Sequence, residues 1–270
     1  NQKHPYHLVD PSPWPLVTAA SLLILAYGFI MFMHQDKSLL FIIGTLALIA
    51  SSIFWWRDVV SESEGGKFHN KVVQIGLRYG MILFIASEVM FFSAWFWAFF
   101  DVAFYPGENS QELIGRQEAL GGVFPPEDIE LIPPFGIPLL NTFILLASGG
   151  TVTWAHHALR ENDRKNFLIF LFLTILLGLI FTGFQGYEYL HATFSIDEGI
   201  YPSTFYMATG FHGAHVIIGT IFLIVCFIRG AKGHFKPEKH LGFEFAAWYW
   251  HFVDVVWLFL FTFVYWWASF

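Results

Sequence analysis

Glu88 is an ionisable residue set inside an otherwise uncharged apolar run, residues 81–100. A carboxylate near the centre of a bilayer costs roughly 2.5–3.5 kcal/mol on insertion scales, so an acid in such a run is a functional suspect. Two further pairs could do chemistry with it. His212 and His215 are three residues apart, as are His251 and Asp254, and this spacing can put each pair on one face of a helix. A carboxyl group facing an imidazole can share or pass a proton. Imidazoles at positions 156, 157, 212, 215 and 251 together with Glu88 could also be read as metal ligands. The ordinary reading is plainer: histidines hydrogen-bonded to neighbouring helices, Glu88 as a neutral acid donating one interhelical hydrogen bond, and Asp254 as a structural partner of His251.

These residues need a membrane scaffold to position them. The chain has 270 residues, 56% hydrophobic, 20% aromatic and 13% charged, with 33 Phe and 11 Trp. A soluble domain carries about 25% charged residues, so the composition points to an all-α polytopic membrane protein. Seven runs are long enough to span: 14–33, 39–56, 72–100, 137–158, 166–189, 204–228 and 245–267. They form a single integral membrane domain. The first lacks the basic flank and small-residue cleavage site of a removable signal. The lone cysteine, Cys226, lies in an apolar run and is read as a core residue.

Charge sets the direction. Lys3, Arg57, Lys67, Lys71, Arg78, Arg160, Arg164, Lys165, Arg229, Lys232, Lys236 and Lys239 fall on one side, and Lys37 and Arg116 on the other. Lys and Arg are retained inside, so the N-terminus is expected inside and the C-terminus outside. The connection 101–136 is long and acidic, with Asp101, Glu108, Glu112, Glu118, Glu127, Asp128 and Glu130 against Arg116. It reads as a solvated outer loop, or as a surface that attracts a basic soluble protein.

Depth follows from the helical rise. Glu88 lies ten residues beyond Arg78, roughly 15 Å into the membrane. The midpoints of the sixth and seventh runs fall near Val216 and Val256, which places His215 and the His251/Asp254 level close to the depth of Glu88. His215 is therefore the first-choice partner, with His212, His251 and Asp254 as others. His156 and His157 lie about half a membrane away from His215. No clustered histidine motif of a membrane di-iron oxygenase is present, and no lysine lies in any of the seven runs to carry a retinal Schiff base. No internal repeat suggests an inverted-repeat transporter.

Several strings are specific beyond composition: YHLVDPSPWP at 6–15, WWRDV at 55–59, LRYGMILFIASEVMFF at 77–92, TWAHH at 153–157, ATGFHGAHVIIG at 208–219 and GFEFAAWYWHFVDVVWLF at 242–259. In order and nearly end to end, the chain resembles the subunit III family of cytochrome c oxidases, of mitochondrial and alphaproteobacterial type. The resemblance implies two helices and then five, with a phospholipid-holding cleft between them. It implies a chain with no redox centre, beside subunits I and II that hold the haems and copper and accept electrons from cytochrome c. Accessory subunits and structural phospholipids are implied too, and no nucleic acid. The family's subunit III sustains proton uptake and protects the oxidase from turnover inactivation.

Carried over by residue, Glu88 matches the family's carbodiimide-reactive carboxyl, and Trp55, Trp56, Glu62, His69 and Arg229 match positions near lipid headgroups. Ser61 departs from an Arg common in relatives, Phe124-Pro125-Pro126 replaces Trp-Pro-Pro, and the loop at 109–119 is longer. The opening string favours the mitochondrial inner membrane over a bacterial cytoplasmic membrane. The alternative function is a stand-alone proton-linked carrier using Glu88.

Overall fold

The computed structural model describes residues 4–65, 69–107, 122–127 and 129–270. Lys3, Lys67 and the stretches 108–121 and 128 of the acidic connection lie outside the described residues, as does the whole of the lengthened loop at 109–119. Among the described residues, seven helices are long and apolar enough to cross a membrane. They are α1 (Trp14–Gln35), α2 (Leu39–Glu64), α3 (Lys71–Phe104), α4 (Ile137–Arg160), α5 (Arg164–Leu190), α6 (Ile200–Ala231) and α7 (Leu241–Phe259). After α7 the chain runs on as a π-helical turn, Leu260–Trp266, and a 3-10 turn, Trp267–Ser269. Among the described residues there is no strand, and Lys236 and Lys239 form an isolated antiparallel bridge.

The bounds differ from the apolar runs in one instructive way. α2 continues past Trp56 to Glu64, through Arg57, Asp58 and Glu62. Hydropathy marks where a helix meets water, whereas the helix itself continues until its backbone is interrupted, and no proline does so here. α6 likewise starts at Ile200, ahead of Pro202, because the amides of a first turn have no intrahelical acceptor and a proline there loses nothing.

The chain divides into two compact units, Asn1–Tyr79 and Gly80–Phe270, with the boundary inside α3. In the first, α1 ends on Asp36, which adopts a left-handed φ of 54°. The amides of Asp36 and Lys37 turn back to the carbonyls of Phe32 and Met31. α2 then folds back against α1. A Cβ on Gly28 or Gly44 would strike the backbone of the opposing helix, so glycine at these positions permits the close approach. The indole of Trp14 donates to Asp58 Oδ2 at 2.5 Å and stacks on Phe54. Asn70 caps α3 by accepting from the Val73 amide, and its own amide donates to the Pro5 carbonyl at 2.6 Å. That contact ties the N-terminal segment to the start of α3.

In the second unit α4 packs against α5 and α7, α5 against α6, and α6 against α7. Lipid is as apolar as Leu, so packing and polar contacts, rather than water exclusion, hold such helices together. Trp250 and Trp257 of α7 are fully buried, and their indoles donate to Ser148 Oγ and Thr142 Oγ1 of α4, both at 2.9 Å. The α4–α5 turn is closed by Asp163, which accepts the Asn166 amide. That bond and a second from the Asn166 side-chain amide hold the Asp163 carboxyl below the usual carboxylate range.

From Gly80 onward, α3 lays an aromatic stripe on α7 and the π-helical turn that follows it. Phe84, Phe92, Phe96 and Phe100 meet Tyr249, Phe252, Phe259 and Phe263, with ring centroids 6.4, 6.0, 5.9 and 5.3 Å apart. The spacing is four residues, the repeat that keeps side chains on one face of a helix. Position 88 is the vacant step in that ladder, and it holds the carboxyl.

Candidate functional site: a carboxyl–imidazole pair within the helical bundle

Glu88 leaves the aromatic stripe of α3 and meets His215 of α6. Glu88 Oε2 and His215 Nε2 are 2.9 Å apart, with side chains 21% and 12% exposed. The imidazole is set among rings: Phe92 lies 4.9 Å from it edge-on, Tyr249 stacks at 6.3 Å and Phe252 lies at 6.4 Å. Its other nitrogen, Nδ1, is 2.6 Å from the Phe211 carbonyl one turn earlier. A carbonyl only accepts, so Nδ1 carries hydrogen and donates. Neutral imidazole has one N–H, so Nε2 bears a second only as imidazolium. The contact with Glu88 therefore contains one proton. Either a carboxylic acid donates to neutral Nε2, or an imidazolium donates to a carboxylate. Both forms are neutral overall, which is what a site shielded from water favours.

The His251–Asp254 pair is separate. It lies within α7, with Nδ1 and Oδ2 3.6 Å apart. Thr153 of α4 donates its hydroxyl to the Gly149 carbonyl, which leaves its oxygen to accept from His251 Nε2 at 3.1 Å. Asp254 is 6% exposed, and its Oδ1 has no hydrogen-bond partner.

His212 does not join either pair. It is fully buried between Phe181 and Trp257, and its Nε2 donates to the Val253 carbonyl at 3.2 Å. Spacing of three residues leaves His212 and His215 on adjoining, not identical, directions of α6, and that difference sends one toward α5 and α7 and the other toward α3. His156 lies 3.2 Å from His240, nitrogen to nitrogen, and His157 is not part of that contact. Among the described residues no three His, Cys, Asp or Glu side chains assemble as a metal-binding group.

The positions matched to lipid headgroups fall in both units. In the first, Trp55 and Trp56 lie on the outward side of α2 and Glu62 on its extension beyond the apolar run. His69 rests edge-on against His7, and burial followed by the charge of His7 lowers its pKa, with Glu62 opposing. In the second unit the Arg229 guanidinium lies 4.7 Å above the Phe235 ring at the end of α6.

A third polar centre was not read from the sequence. Glu188 of α5 is buried, and its Oε1 accepts from the Tyr265 hydroxyl at 2.7 Å and from Gln185 Nε2 at 3.1 Å. Gln185 and Glu188 lie near the end of an apolar run, where polar residues normally meet headgroups. Their shared spacing of three residues was the available signal. Tyr265 reaches them from the π-helical turn, which a pattern of regular helices does not anticipate.

A family model described as cytochrome c oxidase subunit III matches residues 4–269. The chain is 54% identical to cytochrome c oxidase subunit 3 of Arabidopsis thaliana over 271 residues, covering 100% of this chain and 98% of that protein. It is 53% identical to the proteins of the same description from Equus asinus and Ornithorhynchus anatinus, covering 100% of this chain and 99% of each.

Proposed function

The chain belongs to the cytochrome c oxidase subunit III family, and from that membership we propose the part it plays in the oxidase complex. It is a multi-pass membrane subunit of the complex. It carries no redox centre: electrons from cytochrome c reach oxygen at haem and copper centres held by partner subunits I and II. This chain packs against subunit I, retains phospholipid and sustains proton uptake. Its membrane is the mitochondrial inner membrane, with the N-terminus inside and the C-terminus outside.

The observation that carries this reading is the Glu88–His215 contact. A single proton on that contact can rest on Glu88 Oε2 or on His215 Nε2 without changing the charge of the pair. In a low-dielectric interior the ion-pair form desolvates two charges, and their mutual attraction at 2.9 Å offsets that cost. The Phe211 carbonyl fixes the imidazole tautomer, and Phe92 and Tyr249 hold the ring in place. The pair is thus suited to holding a proton within the membrane. Trp55, Trp56, Glu62, His69 and Arg229 supply the aromatic, hydrogen-bonding and cationic groups that phospholipid headgroups meet at an interface.

The test is depletion and return of this subunit in the purified oxidase. Removal should leave the haem spectrum unchanged while lowering bound phospholipid, slowing proton uptake and shortening the enzyme's life during turnover. Return of the chain should restore all three. Loss of haem with the chain would contradict the reading. Substrate movement by the chain reconstituted alone would favour a proton-linked carrier instead.

A further inference from the structure

Glu188 of α5 is 4% exposed, and its two oxygens are bonded unequally. Oε1 accepts twice, from the Tyr265 hydroxyl at 2.7 Å and from Gln185 Nε2 at 3.1 Å. Oε2 has no hydrogen-bond partner, and neither has Gln185 Oε1 on the residue already bonded to it. A carboxylate divides its charge evenly over both oxygens. Half of that charge would then rest on a buried atom with no donor. A carboxylic acid is unequal by construction: its carbonyl oxygen has two lone pairs and accepts two bonds, while its hydroxyl donates. The pattern at Glu188 is that of the acid. A proton on Oε2 makes the bare oxygen a donor, and Gln185 Oε1 is an acceptor that lacks one.

The surrounding groups supply no compensating charge. Tyr265 and Gln185 are uncharged donors. Tyr189 of α5 gives its hydroxyl to Thr209 Oγ1 at 2.7 Å, and Tyr206 of α6 gives its own to the Phe194 carbonyl at 2.8 Å. Glu130 and His191 line a neighbouring cavity together with Glu188. His191 Nδ1 donates to the Tyr187 carbonyl, and no Lys, Arg or His among the described residues bonds to Glu188. Ionisation would leave an uncompensated charge inside the protein, which the neutral acid avoids.

We propose that Glu188 is a proton-binding site of its own, a neutral carboxylic acid that carries its hydrogen on Oε2 toward Gln185 Oε1, and that this proton fastens the π-helical turn to α5. Tyr265 is the polar attachment of that turn, Leu260–Trp266, to the acid. An ionised Glu188 would need donors for Oε2 that its surroundings do not offer, and its carboxyl would have to leave Tyr265 to find them in water. The site differs in kind from Glu88 and His215. There the proton is shared with a base; here no base bonds to the acid, and the proton stays on it.

The test uses the intact oxidase at one neutral pH. The infrared spectrum of wild type minus that of Glu188→Gln should contain the carbonyl band of a protonated carboxyl. Carboxylate stretches in its place would overturn the proposal. Glu188→Gln keeps an acceptor for Tyr265 and Gln185 and a donor for Gln185 Oε1, so hydrogen exchange over residues 260–266 should match wild type. Glu188→Leu keeps neither and should speed exchange there severalfold. If Glu188→Leu does not assemble, Tyr265→Phe carries the same reading, since it removes a single hydroxyl: exchange should quicken and the carboxyl band should move. Exchange in Glu188→Gln as fast as in Glu188→Leu or Tyr265→Phe would overturn the fastening, as would exchange unchanged in all three.

Discussion

Glu88 of α3 and His215 of α6 face each other at 2.9 Å, while the far nitrogen of His215 is committed to the Phe211 carbonyl. The two side chains consequently hold one proton between them and no net charge. Removing either partner alone leaves the other unpaired at membrane depth.

The first prediction concerns that asymmetry. His215→Leu strands Glu88 in the aromatic seam and should destabilise the assembled subunit by roughly 2–4 kcal/mol, the scale of an uncompensated intramembrane acid. Glu88→Leu combined with His215→Leu should recover much of the loss. Thermal retention of the subunit in detergent, measured on the single and double variants, checks this. A double variant as unstable as the sum of the singles would show that the two side chains act independently.

A second prediction concerns lipid. Arg229 ends α6 with its guanidinium over Phe235, the posture of a cation held at an interface. Arg229→Ala should reduce the phospholipid retained per purified complex, read by mass spectrometry, without altering haem content. Unchanged lipid would remove Arg229 from the set of headgroup contacts.

The third prediction is a pH dependence in the first unit. Burial, reinforced by His7, keeps the His69 imidazole below its ordinary value of about 6.5. The released segment therefore binds a proton more readily than the docked one, and stability rises with pH through this window. As pH falls below about 6.5, the docked arrangement should weaken. Protection factors over the segment before Trp14, with the intrinsic pH dependence of exchange divided out, should fall on acidification, and His69→Gln should flatten the response. Protection that rises at low pH would reverse the sign and refute the account.

A fourth prediction tests the polar ladder behind the site. Trp250→Phe removes the indole donor to Ser148 and leaves a small void beside Gly178 and Gly219. The expected cost is about 1–3 kcal/mol, from the lost bond and the void together. Ser148→Ala alone should cost less, because the indole stays in place and fills its volume. Unfolding of the purified complex followed by intrinsic fluorescence separates the two.

Much of this was legible in the chain. Seven apolar runs gave seven helices because membrane thickness sets their length, and the rise per residue was enough to put Glu88 level with His215. The ends were less legible. α2 runs past Trp56 because helical hydrogen bonding does not stop where hydropathy does. The directions of side chains were also hidden: three-residue spacing linked His212 with His215, but the bundle turns one to Val253 and the other to Glu88. Glu188 went unnoticed because its partner Tyr265 arrives through a π-helical turn, which shifts a side chain around the helix in a way that no regular period encodes.

The central claim is that Glu88 and His215 share a proton while the redox chemistry lies elsewhere in the complex. Infrared difference spectroscopy of the purified oxidase tests it most directly, comparing wild type with Glu88→Gln at matched haem content. The account predicts a carboxyl band that vanishes in Glu88→Gln and shifts in His215→Leu, with haem absorbance the same in all three. A Glu88 band indifferent to His215→Leu, or a change of haem content in Glu88→Gln, would contradict it.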